Sequence, residues 1–322
     1  QIGLMIEGQD GLNWQRWQRL LQAAEDFGFQ CLFRSDHFTN NNPPDKDSLE
    51  LWVSLTYAAT ATKRIEFGPL VSPVTFRHPS ITVRMAAAVD DLSNGRLVLG
   101  LGAGWQEREH NKFGVPFYDF ETRYAMFTDA LAITTRLLAS QHPVTYRGRH
   151  FSVDDAVLLP HPARPAGPPV LIGGNGPEKT LPLVAQYAQE WNAVYASLDL
   201  FKQRSSRLDD LLRAQGREPH SVKRSLMTRV VYDRDEAALN RKIEATAAAW
   251  GLKEGADGLR AAGMLVGTGP ALVEQLGRYA EAGVQRFMLQ WLDQDDIEGL
   301  EQLATDVLHS FPGRISRAFD HR

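Results

Sequence analysis

Ser35-Asp36-His37-Phe38 closes an apolar run that begins at Cys31. A histidine in that place can donate to a ligand or shuttle a proton with it, and the carboxylate of Asp36 can orient its ring. The same residues also read as a helix N-cap with a surface histidine beside it. Residues 68–79 hold three prolines and a glycine, which stiffen the backbone where a strand should stop. They suit either a bulge or cis peptide under a flat ring, or a turn into the helix that Pro79 opens. Gly100-Leu-Gly-Ala-Gly104 lacks the glycine that a dinucleotide fingerprint needs at 105, where Trp105 stands. Its glycines still let backbone approach a ligand closely, and Glu107, Arg108, Glu109 and His110 follow around the same mouth.

Gly173-Gly-Asn-Gly-Pro-Glu-Lys-Thr180 misses a Walker A pattern by one residue, because Glu178 puts a carboxylate where a triphosphate would lie. A single phosphate is the better ligand: we expect the backbone of Gly173, Gly174 and Asn175 to cradle it, with a helix starting near Glu178. A plain loop is the competing reading. Neither H-E-x-x-H nor G-x-S-x-G occurs, so no metal or serine-hydrolase site is expected. His142, His150, His161 and His220 fall in loops and read as surface residues.

Strand-like segments position these motifs. Eight of them can be counted, at 2–6, 31–35, 65–72, 96–101, 170–173, 191–195, 224–232 and 284–291. Helical stretches with a period near 3.6 lie between them, at 49–61, 80–92, 123–139, 178–188 and 271–282. The first helix carries a stripe of Trp14, Trp17, Leu20, Leu21, Ala24 and Phe27, stopped by Gly28. Eight alternations favour a (β/α)8 TIM barrel over a doubly wound sheet, with the ligand site at the strand C-termini. We read residues 1–322 as one such domain, with insertions at 141–164 and 235–259, a small hairpin around 144–153 and a surface tail after Phe311.

The 322 residues are 43% hydrophobic and 23% charged, enough for a sizeable core, and the net charge of −4 gives no reason to expect a nucleic acid or an anionic membrane. The single cysteine, Cys31, excludes an intrachain disulfide and reads as inert core. No signal-peptide pattern and no apolar run of about 18 residues is found, so a soluble cytoplasmic protein is expected.

Taken in order, Gly3-Leu-Met-Ile-Glu-Gly-Gln9, Arg34–Phe38, 67–79, Asp91-Leu-Ser-Asn-Gly-Arg-Leu97, 99–105, Leu171-Ile-Gly-Gly174, Glu190-Trp-Asn192 and Val266-Gly-Thr268 resemble the luciferase-like superfamily. Within it they are similar to the deazaflavin (coenzyme F420)-dependent oxidoreductases. The resemblance implies a ring held at the barrel mouth, contacted by Asp36 and His37 and lined by Ala103, Gly104 and Trp105. It also implies a non-proline cis peptide among Leu70, Val71 and Ser72, pressing a bulge against that ring. Sugar-phosphate dehydrogenase members carry a glutamate where this chain has Trp105, so their reaction is not carried over.

Three activities remain open. One is hydride transfer between F420 and an organic substrate, with His37 supplying the proton. Another is an FMN-dependent monooxygenase served by a separate flavin reductase. The third is a flavin-binding relative without chemistry. The expected partners are a small-molecule substrate and, for assembly, a second copy of the chain.

Overall fold

The structure, a computed structural model, describes residues 1–311, and the tail after Phe311 lies outside the described residues. Its strands are β1 (Ile2–Ile6), β2 (Cys31–Arg34), β3 (Glu66–Pro69), β4 (Ser72–Pro73), β5 (Leu99–Gly102), β6 (Val144–Arg147), β7 (Ser152–Ala156), β8 (Val170–Gly173), β9 (Glu190–Val194), β10 (Lys223–Tyr232), β11 (Leu265–Gly267) and β12 (Arg286–Gln290). The main sheet runs β3-β2-β1-β12-β10-β9-β8-β5-β4, every pair parallel. A parallel bridge from Phe67 to Leu97 closes it, with Phe67 N donating to Arg96 O and Val98 N to Phe67 O. Since β3 and β4 are two halves of one strand, parted by a cis Leu70–Val71 peptide, the ring has eight strand positions. It is a TIM barrel.

The helices are α1 (Trp14–Asp26), α2 (Leu51–Ala61), α3 (Pro79–Leu92), α4 (Glu107–Phe113), α5 (Phe120–Ala139), α6 (Thr180–Tyr187), α7 (Leu198–Ala214), α8 (Glu236–Ala249), α9 (Gly255–Ala261), α10 (Gly269–Glu281) and α11 (Ile297–Val307). Helix α1 starts at an Asn13 cap and buries Trp17, Leu20, Leu21 and Ala24, whereas Trp14 of the expected stripe is 40% exposed. Helix α3 has Pro79 in its first turn and stops before Gly95, whose φ is +78°. All five residues of β1 are buried, as a strand covered on both faces requires. Inside the ring Met5, Cys31, Phe33, Leu171, Met227 and Met288 pack together. Burial pushes the Cys31 thiol up to about 12, so it stays protonated.

The hairpin β6–β7 falls within 141–164, and α8 and α9 occupy the 235–259 stretch with α9 ending two residues later. Strand β11 was not foreseen: three residues long, it pairs with the end of β10. Helix α7 was missed because its charged sequence buries only Phe201, Leu208 and Leu212, a sparse stripe. Among the described residues no helix is long and apolar enough to cross a membrane.

Candidate active site at the barrel mouth

Above the interior cluster the strand ends open into a cavity of about 460 Å³. Its floor is apolar, built from Met5, Leu70, Val71 and Met227. Glycines make room for the β3–β4 bulge. A Cβ on Gly102 would stand 2.5 Å from Val71 Cγ2, and one on Gly100 would fall on the Pro69 carbonyl oxygen. Gly173 differs, since its Cβ would meet Val71 Cγ1 at 3.4 Å, an ordinary contact, and its φ is not left-handed.

His37 stands at one wall, its side chain 14% exposed. Its Nδ1–H donates to Glu109 Oε1 at 2.9 Å, and the other Glu109 oxygen accepts from Phe38 N at 2.8 Å. Glu109 is 1% exposed, so this carboxylate is fixed by protein groups and not by water. With Nδ1 engaged, Nε2 has no protein partner among the described residues and serves the cavity. Burial opposes the charged imidazole, but the hydrogen bond and charge of Glu109 outweigh it and raise the His37 pKa above its ordinary value. The Trp105 indole lies edge-on to the ring, centroids 5.4 Å apart, and is itself 61% exposed.

A folded-state pKa raised above about 6.5 sets a sign for stability. The His37–Glu109 pair stabilises fully below the unfolded value, and that contribution fades as pH rises through the folded one. The melting-temperature difference between the parent and Glu109→Gln is therefore expected to be largest near pH 6 and to shrink toward pH 9. A difference that does not vary with pH would refute this account of the pair.

A polar chain lines the same cavity. Tyr195 Oη donates to Gln290 Oε1, Gln290 Nε2 donates to Glu7 Oε1 at 2.6 Å, and Gln9 Nε2 donates to Glu7 Oε2 at 3.0 Å. Ser35 Oγ then donates to Gln9 Oε1 at 2.8 Å. On the adjacent wall Asn192 Nδ2 donates to Ser225 Oγ at 3.0 Å, while Asn192 Oδ1 is buried without a partner. Such an orphaned acceptor is rare in a folded interior and marks a place for a ligand donor.

Of the residues expected from sequence, His37, Leu70, Val71, Ala103, Gly104, Trp105, Gly173 and Gly174 line this one cavity. Asp36, Ser72 and Asn175 are not on its wall. Neighbouring residues of an extended chain point to opposite sides, so Asp36 turns away from His37. Its buried carboxylate accepts from Arg77 Nη1 at 2.6 Å and Ser72 Oγ at 2.8 Å. The ring of His37 is thus oriented by Glu109, not by Asp36. Of the four residues 107–110, Glu109 alone joins the site: Arg108 is paired with Asp45, and His110 is buried against Thr75 and Gln106.

The expected phosphate cradle also changes. Gly174 N is already committed to Asn192 O at 2.9 Å, and the Asn175 side chain brackets the backbone of Val194. Helix α6 runs from Thr180, within two residues of the expected start near Glu178, and Thr180 N and Leu181 N both donate to Gly176 O in its first turn.

Glu7, Gln9, Tyr195, Asn192 and Gln290 are site residues that sequence reasoning did not single out. Glu7 and Tyr195 each follow the last residue of a barrel strand, so the strand-end rule could have flagged them. Glu109 was placed at the mouth with its neighbours, but nothing in the sequence pairs it with His37, 72 residues away.

A model of the luciferase-like monooxygenase family matches residues 3–286. An F420-dependent glucose-6-phosphate dehydrogenase of Intrasporangium calvum is 26% identical over 320 residues, covering 90% of this chain and 92% of that protein. An F420-dependent hydroxymycolic acid dehydrogenase of Mycobacterium tuberculosis is 28% identical over 219 residues, 67% of this chain and 59% of that one. Among solved structures, an F420-dependent secondary alcohol dehydrogenase in complex with an F420-acetone adduct superposes with a TM-score of 0.84 at 20% identity. The match covers 96% of this chain and 98% of that one.

Proposed function

This chain belongs to the luciferase-like monooxygenase family, and on that premise we propose that it is an oxidoreductase transferring a hydride between coenzyme F420 and a small organic substrate. The observation that carries the reading is the His37–Glu109 pair, which presents a free Nε2 to an apolar-floored cavity. The F420-dependent relatives support the cofactor. The residues present suit a flat heterocycle: Leu70 and Val71 offer an apolar support, and the orphaned Asn192 Oδ1 offers an acceptor to a ring N–H.

Bound there, the deazaflavin supplies the hydride donor or acceptor. The chain does the rest. Glu109 holds the imidazole in the tautomer that leaves Nε2 as a base, and stabilises the imidazolium once Nε2 has taken a proton. His37 Nε2 thereby removes the proton from a substrate hydroxyl, or returns it in the reducing direction. Leu70, Val71 and Met227 keep water from the floor, and Trp105 partly covers His37.

F420 is expected to bind at least tenfold tighter than FMN when the purified protein is titrated with each and fluorescence quenching is followed. Equal or reversed affinities would favour an FMN-dependent oxygenase, and with it a separate reductase. A second copy of the chain remains the proposed assembly partner.

A further inference from the structure

The polar chain along the cavity has a fixed hydrogen-bond direction, and the Glu7 carboxylate sets it. A carboxylate only accepts, so the amides of Gln290 and Gln9 both turn their N–H groups to Glu7 and their oxygens away from it. Either amide turned round would set its oxygen against the carboxylate. An amide oxygen also only accepts. Tyr195 Oη therefore spends its proton on Gln290 Oε1, and Ser35 Oγ spends its own on Gln9 Oε1. Ser35 Oγ is further occupied by Gly8 N, which donates to it at 2.8 Å. Tyr195 has no such second partner among the described residues, so its hydroxyl is left with lone pairs and no proton to give.

All five side chains of this chain line the cavity. Tyr195 stands just past the end of β9 with φ of +47°, a left-handed conformation that a non-glycine residue seldom takes. Three contacts hold it there. Tyr195 N donates to Met227 O at 3.0 Å, and the ring packs on Trp250 with centroids 5.0 Å apart. Gly263 leaves room for its carbonyl, since a Cβ there would stand 2.4 Å from Tyr195 O. Backbone held against its own preference gathers at ligand sites. Burial first, then the charge of Glu7, raises the Tyr195 phenol above its ordinary value, so it keeps the proton that it donates. The same charge reaches His37, where burial and Glu109 act more strongly. No lysine or arginine lines the cavity among the described residues, so an anionic substituent would meet the Glu7 field without a basic side chain on the wall.

We propose that Tyr195 Oη accepts a hydrogen bond from the substrate, which makes the substrate an alcohol carrying a second donor, a hydroxyl or an ammonium, and no anionic group within the cavity. The assignment rests on the reading of that cavity as the site of hydride transfer. Tyr195 is then a specificity residue, selecting partners that give a proton to the bond over those that only accept one.

The probes are the trans vicinal diol of cyclohexane and three analogues, in which fluorine, a protonated amine or a carboxylate replaces one hydroxyl. Their dissociation constants are measured by saturation-transfer NMR on the purified protein, with and without F420. Fluorine nearly keeps the size of the hydroxyl and removes the donor. At least one of the diol and the amine is expected to bind about fivefold tighter than the fluoro alcohol, or more, and the tighter of the two names the donor. The carboxylate is expected to bind most weakly. Tyr195→Phe is expected to abolish the preference while the fluoro alcohol and F420 each stay within about twofold of the parent. A purely structural tyrosine would instead weaken every ligand together, so the preference, and not the affinity, is the quantity that reports on the hydroxyl.

No binding of either the diol or the amine, no advantage of either over the fluoro alcohol, an advantage that survives in Tyr195→Phe, or tightest binding by the carboxylate would each overturn the proposal. So would a parallel loss of all the probes in Tyr195→Phe, or a tenfold loss of F420 affinity, which would give the hydroxyl to the cofactor. If F420 does not bind at all, the functional reading fails, yet the titrations without F420 still decide whether Tyr195 accepts from a ligand.

Discussion

His37→Ala is expected to lower single-turnover hydride transfer by 10² to 10⁴-fold at saturating F420, roughly 3 to 5 kcal/mol of barrier. The reason is geometric before it is electrostatic. Glu109 takes Nδ1–H at 2.9 Å, so the nitrogen left to exchange a proton with a substrate is Nε2, on the wall of the cavity. Removing the imidazole removes the group that holds the proton when the hydride moves. It also strands Glu109, whose remaining partner is Phe38 N, so some thermal stability will go as well. Glu109→Gln separates the two effects, because the amide still fills the space and can still accept from one neighbour. Its rate should fall less than that of His37→Ala, and its pH–rate profile should shift toward lower pH as His37 loses the charge that raises its pKa. A His37→Ala rate within threefold of the parent would reduce His37 to a ring contact.

Gly173→Leu is expected to weaken F420 binding at least 100-fold, about 2.7 kcal/mol, while the melting temperature changes by only a few degrees. Gly173 is the position where a side chain enters the cavity without breaking its wall. Its backbone is not left-handed, and its Cβ would meet Val71 Cγ1 at 3.4 Å. The added isobutyl group then occupies the space above the bulge. Neighbouring glycines would not make so clean a test. Gly174 has φ of +123°, which strains any side chain, and a Cβ on Gly102 would stand 2.5 Å from Val71 Cγ2. Measuring F420 affinity and thermal unfolding on the same preparation makes the test. Undiminished affinity would move the ring away from β8, and joint loss of affinity and fold would show that Gly173 supports the barrel.

The barrel was legible in the chain because its signals are local. Strand-forming runs and helical stripes alternate within windows of ten to twenty residues, and a parallel sheet with short connections has few ways to close. The mouth was legible for the same reason: glycines and polar residues follow β2, β5 and β8, and strand C-termini are where a barrel presents such residues. His37, Trp105 and the glycine segments could therefore be named from sequence. Which side of the wall each side chain takes could not. Asp36 adjoins His37 in the chain, yet its carboxylate belongs to Arg77 and Ser72, 41 and 36 residues away. Glu109 reaches His37 across 72 residues, from a helix too short to announce itself. Gly174 looked free to hold a phosphate until β9 claimed its amide. A residue's type and position along its own strand are written in the chain. Its partner is chosen by how distant strands and helices pack, and in this protein that packing decides which groups hold a proton and which are left to hold a ligand.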